Sequence, residues 1–296
     1  MKRISLIDVD SKIPNLALMK ISAYHKSKGD TVGFNLKYPD KIYQSIVFTK
    51  NRGKALNKTL IEIPVEYGGS GISLKSRLPD EIEFIKPDYD LYPSEYSMGF
   101  TSRGCNRNCY FCIVTKKEGG FKKWQHPSEF HDDRFKTMKL LDNNILLDKD
   151  RFKKLSDWFY DNNVRVDMTQ GYDVRLLDDE ILTYIIQIRD KSVPLKFAFD
   201  DTSLESIVRD KIQMIKDAGV NTRSHVAFYC YCHDDSMFDD TLYRSNVLRS
   251  LNVNADVMFN CDMPKTQRVK ALMKWSWRKQ LFWGIPFNEY SKVLHT

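Results

Sequence analysis

Thr101-Ser-Arg-Gly-Cys105-Asn-Arg-Asn-Cys109-Tyr-Phe-Cys112 places three of the chain's six cysteines within eight residues. Three thiolates spaced Cys-x3-Cys-x2-Cys can wrap one face of an iron–sulfur cube, a cluster ordinarily held by cysteine sulfur. One iron is then left without a protein ligand, and an open coordination position lets a metal centre bind a substrate or cofactor directly. Two other readings compete. Zinc sites usually join Cys-x2-Cys to a second Cys or His pair, and His126 and His131 follow at a distance that singles out neither. Offsets of four and three also match one face of a helix. Gly104, Asn106, Asn108 and the charged flanks favour a loop instead.

With an aromatic residue just before its last cysteine, the stretch resembles the signature of the radical S-adenosylmethionine (SAM) superfamily. The resemblance implies that Cys105, Cys109 and Cys112 ligate a [4Fe-4S] cluster whose fourth iron is chelated by the amino and carboxylate groups of SAM. It implies reductive cleavage of SAM to a 5′-deoxyadenosyl radical that abstracts hydrogen from a substrate. It also implies that Phe111 lies beside the adenine and that a flavodoxin or ferredoxin donates the electron.

Length and composition frame this reading. A chain of 296 residues with 42% hydrophobic content can form one large or two ordinary domains with packed cores. There is no run of eighteen apolar residues, and Asp8 and Asp10 interrupt the N-terminal stretch where a signal peptide would be apolar, so the sequence predicts a cytoplasmic protein with no membrane partner. Six cysteines in this length do not resemble a disulfide framework, and a thiolate-held cluster requires a reducing compartment. The formal charge of +7 suits an acidic partner, which makes nucleic acid a candidate substrate.

Outward from the motif, the chain reads as α/β. Residues 3–9 suit a buried strand, 14–28 a helix ended by Gly29, and 31–36 and 42–49 two further strands. This order resembles the cobalamin-binding domain that precedes the barrel in one branch of radical SAM enzymes. The branch's Asp-x-His-x-x-Gly motif is missing, so cobalamin is not expected; the only histidine there, His25, falls within the helix. The Gly68-Gly-Ser-Gly71 turn is open to two readings, a phosphate cradle or simply a turn. Residues 79–97 read as a linker, which divides the chain into a small Rossmann-like domain (1–94), a second domain (95–262) and a basic, aromatic helical extension (263–296).

The second domain repeats strand and helix: strands at 96–101, 137–141, 164–169, 195–199, 224–231 and 256–261, with helices at 149–162, 178–190 and 204–218 and one containing Leu242, Leu248 and Leu251. Periodicity alone gives an α/β domain. The superfamily resemblance makes it a partial (β/α)6 barrel.

Polar clusters close the strands, where barrel chemistry gathers. Asp142 and Asn143 are expected near the SAM amino group. Gln170-Gly-Tyr-Asp173-Val-Arg175 resembles the Gln-Gly-Leu-Asp-x-Arg segment of related enzymes, with Arg175 pairing either with the SAM carboxylate or with Asp173 or Asp178. Asp200 is assigned to the ribose hydroxyls, with Thr202 left as a helix cap. Cys230, Cys232 and Cys261 are expected to pack as small apolar residues rather than to hold a second cluster. In the extension, basic residues among Trp275, Trp277, Phe282 and Trp283 suit either a nucleic-acid surface or a capping helix. The sequence therefore predicts a radical SAM enzyme; the alternative is a cluster- or zinc-carrying binding or redox protein without radical chemistry.

Overall fold

Short apolar runs alternating with amphipathic segments produce parallel sheets and helices in a computed structural model that describes residues 1–56, 62–260 and 263–293. The chain divides into two units, residues 1–108 with 112–139, and residues 109–111 with 140–296. The boundary suggested by composition at residue 94 lies inside the first unit.

In that unit β1 (Arg3–Asp8), α1 (Leu16–Ser27), β2 (Thr31–Phe34), β3 (Lys41–Ser45) and β4 (Val65–Gly68) follow one another, and the strands form a parallel sheet in the order β2-β1-β3-β4. Ile4 and Leu6 of β1 are fully buried with Leu18 and Ile21 of α1, Tyr43 and Ile82. Each such side chain contributes about 1.5–3 kcal/mol relative to exposure. Asn15 starts α1 by accepting the Leu18 N–H at 3.2 Å.

The strand expected over 42–49 ends at Ser45. The Asp10 carboxylate accepts the N–H groups of Val47 (2.7 Å) and Phe48 (3.0 Å), which removes them from the ladder, and Thr49–Lys54 turns as a 3-10 helix. His25 lies on α1 with its ring nitrogens 2.8 Å from Asp30 Oδ2 and 3.0 Å from Tyr43 Oη. The stretch read as a linker contains α2 (Asp80–Glu83) and the buried Tyr89, whose hydroxyl bonds the carbonyls of Met98 and Phe130 at 3.2 and 2.7 Å.

The remainder of the unit holds β5 (Ser97–Gly99), β6 (Ser102–Arg103), α3 (Val114–Glu118), β7 (Lys122–Lys123), α4 (Pro127–Phe130) and β8 (Thr137–Leu140). β5 and β8 are neighbours, and β6 and β7 pair antiparallel, Ser102 with Lys123 and Arg103 with Lys122. The β6–β7 pair frames the cysteine loop.

The second unit runs α5 (Lys149–Asp161), β9 (Arg165–Asp167), α6 (Asp179–Ile188), β10 (Leu195–Ala198), α7 (Glu205–Asp217), α8 (Thr222–His225), β11 (Val226–Cys232), α9 (Phe238–Ser250) and β12 (Asn254–Phe259). β10, β11 and β12 are parallel in chain order, and a parallel bridge from Tyr172 to Phe197 ties the segment after β9 to β10. Parallel neighbours require crossovers, which α7 and α9 supply. Asp148 and Asp178 cap α5 and α6, accepting from Arg151 N at 3.0 Å and Ile181 N at 2.8 Å. On α7 Val208, Ile212 and Ile215 are buried, while Ile207 is 37% exposed. β11 begins two residues late because Asn221 caps the helical turn of α8, and β12 ends at Phe259, two residues early. Cys261 lies outside the described residues.

α10 (Gln267–Trp277), α11 (Lys279–Gly284) and α12 (Phe287–Val293) complete the unit. Trp275 and Phe282 are fully buried, and the indole N–H groups of Trp275 and Trp277 donate to the carbonyls of Ile285 (2.9 Å) and Val257 (3.0 Å). The extension thus covers β12 with its rings. Among the described residues no helix is long and apolar enough to cross a membrane.

Candidate functional site

The cysteine loop is tied at both ends. Arg103, two residues before Cys105, donates from Nη2 to Glu83 Oε1 (2.8 Å) and from Nη1 to Glu118 Oε2 (3.3 Å), at the close of α3. Its guanidinium lies 4.1 Å from the Phe100 ring centre and 4.9 Å from that of Trp124, a cation–π arrangement on both sides. Lys20 is buried and reaches Glu83 Oε1 at 3.2 Å and Gln125 Oε1 at 3.3 Å. Desolvation lowers the Lys20 pKa, against the opposing pull of Glu83. Removing one member of such a buried, paired set leaves its partner uncompensated, at a cost of about 3–5 kcal/mol.

Gly104 completes the closure. Its φ is +79°, and a Cβ there would stand 2.1 Å from the Gly120 carbonyl oxygen, while Cys105 N donates to Gly119 O at 3.2 Å. No other residue fits that approach.

Cys105, Cys109 and Cys112 are all half-buried, and none is in a disulfide. Arg107 N lies 3.4 Å from Cys105 Sγ and Val114 N 3.5 Å from Cys112 Sγ, so backbone donors point at two of the three sulfurs. Asn106 holds the loop by accepting Phe121 N at 2.9 Å. Among the described residues no group of three or more His, Cys, Asp or Glu side chains is gathered as a metal site. The donor set nevertheless suits a soft, thiolate-held centre.

In the second unit the ends of β10 and β11 carry a polar and aromatic group. Phe111 stacks on Tyr231, with centroids 4.2 Å apart and planes at 23°. Tyr231 N donates to Asp200 Oδ1 at 2.8 Å. Desolvation pushes the Asp200 carboxyl above its ordinary value, against the lowering by that N–H and by Arg244 and Arg175. Arg244, fully buried on α9, donates to the carbonyls of Phe199 (2.6 Å) and Tyr231 (3.0 Å) and pairs with Asp240 (2.6 Å). It fixes the two strand ends that hold Asp200 and Tyr231. Tyr110 is 67% exposed, with its hydroxyl 3.0 Å from Met237 Sδ and its ring 5.8 Å from that of His233.

A second group forms after β9. Arg175 pairs with Asp173 through Nε (2.7 Å) and Nη2 (3.0 Å), and Asn144 Nδ2 donates to the same carboxylate at 3.2 Å. The expected alternative of an Arg175–Asp173 pair is therefore present. Asp142 is fully buried, Asn143 half-buried and Gln170 exposed. Tyr231 and Arg244 were missed in the sequence; the only signal for Arg244 is the i,i+4 spacing of Asp240 and Arg244.

Cys230 and Cys232 face away from this group. Both are fully buried, and Cys232 Sγ donates to the Asp234 carbonyl at 3.2 Å. Burial pushes the Cys230 thiol up to about 12 and raises that of Cys232. Alternation along β11 leaves Tyr229 and Tyr231 half-buried on the opposite face.

No family model matches the chain, and no curated protein does. A solved structure of a mutant XylFII-LytSN complex is 13% identical over 99% of this chain and 93% of its own, with a TM-score of 0.19, a likeness too slight to carry an argument about fold or function.

Proposed function

We propose that the chain is a radical SAM enzyme, a partial (β/α)6 barrel preceded by a small Rossmann-like domain. The observation that carries the reading is the Cys105, Cys109 and Cys112 loop: three half-buried cysteines outside any disulfide, at Cys-x3-Cys-x2-Cys spacing on a framed and charge-tied turn. A [4Fe-4S] cluster held there would supply the electron that cleaves the sulfonium of SAM to a 5′-deoxyadenosyl radical.

The chain's own residues bind and orient. The flat Phe111–Tyr231 pair suits an adenine face. Asp200, with one oxygen held by the Tyr231 N–H, can accept from ribose hydroxyls. Asp142 and Asn143 suit the ammonium, and the Asp173-ordered Arg175 a carboxylate. Gln170 stays on the exposed rim. A flavodoxin or ferredoxin would deliver the electron, and the site of action would be the cytoplasm. Histidine-ligated cobalamin has no place in the proposal, since both His25 nitrogens are engaged.

The test is anaerobic reconstitution followed by iron analysis and assay for 5′-deoxyadenosine under reductant. The expected result is ~4 iron per chain, with deoxyadenosine formed by the parent protein and by none of Cys105→Ala, Cys109→Ala and Cys112→Ala. Deoxyadenosine at the parent rate in any variant overturns the reading. One tightly bound zinc and no iron would favour the carrier alternative.

A further inference from the structure

The chain's positive charge is concentrated at one place. Residues 263–293 carry seven Lys and Arg against a single Glu, so +6 of the total of +7 lies in α10–α12 and their flanks. On α10 the buried face is Val269, Leu272, Trp275 and Ser276, which turns Lys270 and Lys274 outward. Arg278 and Lys279 continue the exposed side, and no carboxylate among the described residues pairs with any of these four cations. Arg268 differs, being paired with Asp235. Lys270, Lys274 and Arg278 recur every four residues, about 6 Å apart along the axis. Trp277 stands among them, 53% exposed, its N–H fixed on the Val257 carbonyl so that the ring is held in place.

We propose that this face docks single-stranded nucleic acid, with the cations on phosphates and Trp277 stacked on an unpaired base. Lysines alone would suit any polyanion. The exposed indole among them selects a partner with free aromatic faces, as single strands have and duplexes lack. A membrane surface fits poorly, because a helix lying in an interface needs its apolar side available. On α10 that side is buried in the domain. The inference deepens the proposed function by giving its substrate class, yet binding here does not depend on the cluster.

The experiment is fluorescence anisotropy of the full chain, with and without reconstitution, on a labelled unstructured 20-mer in RNA and DNA form. The matching duplex, phosphatidylserine vesicles and polyglutamate are measured beside it. Both single strands are expected to bind with a slope of log K against log salt of about −3, set by four phosphate contacts. The Lys270→Ala, Lys274→Ala and Arg278→Ala triple variant should bring the slope to about −1. Trp277→Leu should weaken binding about tenfold at unchanged slope, and Trp277→Tyr should restore it. Circular dichroism establishes that the variants are folded, and the Trp277→Tyr rescue keeps the test decisive if Trp277→Leu is not. An unchanged slope in the triple variant, equal binding of the duplex, or polyglutamate or vesicles bound as tightly as the oligonucleotides overturns the proposal. Lost deoxyadenosine formation with intact oligonucleotide binding counts against the enzyme reading and leaves this surface standing.

Discussion

The carboxyl ends of parallel strands, where open α/β sheets bind ligands, are treated oppositely in the two units. At the ends of β1 and β3, polar groups close on one another. Asp8 accepts from Ser11 N (3.1 Å) and Tyr92 Oη (2.6 Å), Asn15 bonds Ser11 and Ser45, and Asp10 holds Val47, Phe48 and Asn51. At the ends of β10 and β11, Asp200 keeps one oxygen on a backbone N–H while the Phe111 and Tyr231 rings stay half-buried beside it. The first arrangement is a finished cap. The second leaves acceptors and flat rings for something else to meet.

Glycine substitutions should break the comparison most sharply. Gly69 has φ +93° and would place a Cβ 2.2 Å from the Ile46 carbonyl oxygen, so backbone packing accounts for the glycine there. Gly104 is equally tight against Gly120. Alanine at either position should cost about 3 kcal/mol, combining left-handed strain with overpacking. Urea denaturation measures the cost, and iron analysis separates the two. Gly69→Ala should still reconstitute to ~4 iron, whereas Gly104→Ala should not. Loss of iron in both would mean that the cap and the thiol loop are not separable.

Asp10→Ala removes the closing carboxylate and orphans two backbone donors and Asn51, a loss of about 2–3 kcal/mol. Burial alone would raise the Asp10 pKa, but the bonds from Val47, Asn51 and Phe48 outweigh it and hold the group below the usual 3.8. A depressed carboxyl contributes stability that is present above the unfolded value and lost as pH falls through the folded one. The parent should therefore lose this contribution below about pH 4, and Asp10→Ala should show a smaller acid dependence in the same denaturation series.

What the sequence disclosed follows the range of the interactions. Asp148 and Asp178 act three residues away, so the starts of α5 and α6 were legible to within a residue. Asp10 acts across 37 residues, and nothing near 42–49 signals that its strand must stop at Ser45. The thiol motif is local and was visible at once. Its frame was not, since Lys20 meets Glu83 across 63 residues; nor was the fixing of the β10 end, where Arg244 reaches the Phe199 carbonyl across 45. The Phe111–Tyr231 stack likewise depends on which strand ends the chain brings together, which alternation cannot specify.

Cys230 and Cys232 test whether the inert face of β11 is as closed as the first unit's crevice. Both thiols are buried and kept protonated by burial. Alanine at each should cost only about 1–2 kcal/mol through the cavity left. Iron should remain ~4 per chain in the double variant. A parent value near ~8 that halves on their replacement would instead make them ligands of a second cluster.

Asp200→Asn is the finest test, because its effect should run in the direction opposite to that of Asp10. Desolvation raises the Asp200 carboxyl, so the folded protein holds a proton that the unfolded chain has already released above 3.8. Between those two values the folded state binds more protons than the unfolded one, and stability falls as pH rises. An amide keeps the shape and the carbonyl acceptor without the charge, so Asp200→Asn should stabilise the protein at neutral pH by about 1 kcal/mol, within the range typical of relieving a functional residue. The gain should shrink as pH is lowered, since the parent carboxyl is then neutral in both states. Deoxyadenosine formation should fall, because an amide accepts more weakly than a carboxylate from the ribose hydroxyls proposed to meet it. A destabilised Asp200→Asn protein with unaltered turnover would place Asp200 with Asp10, as a structural acceptor, and would erase the distinction between the two strand ends.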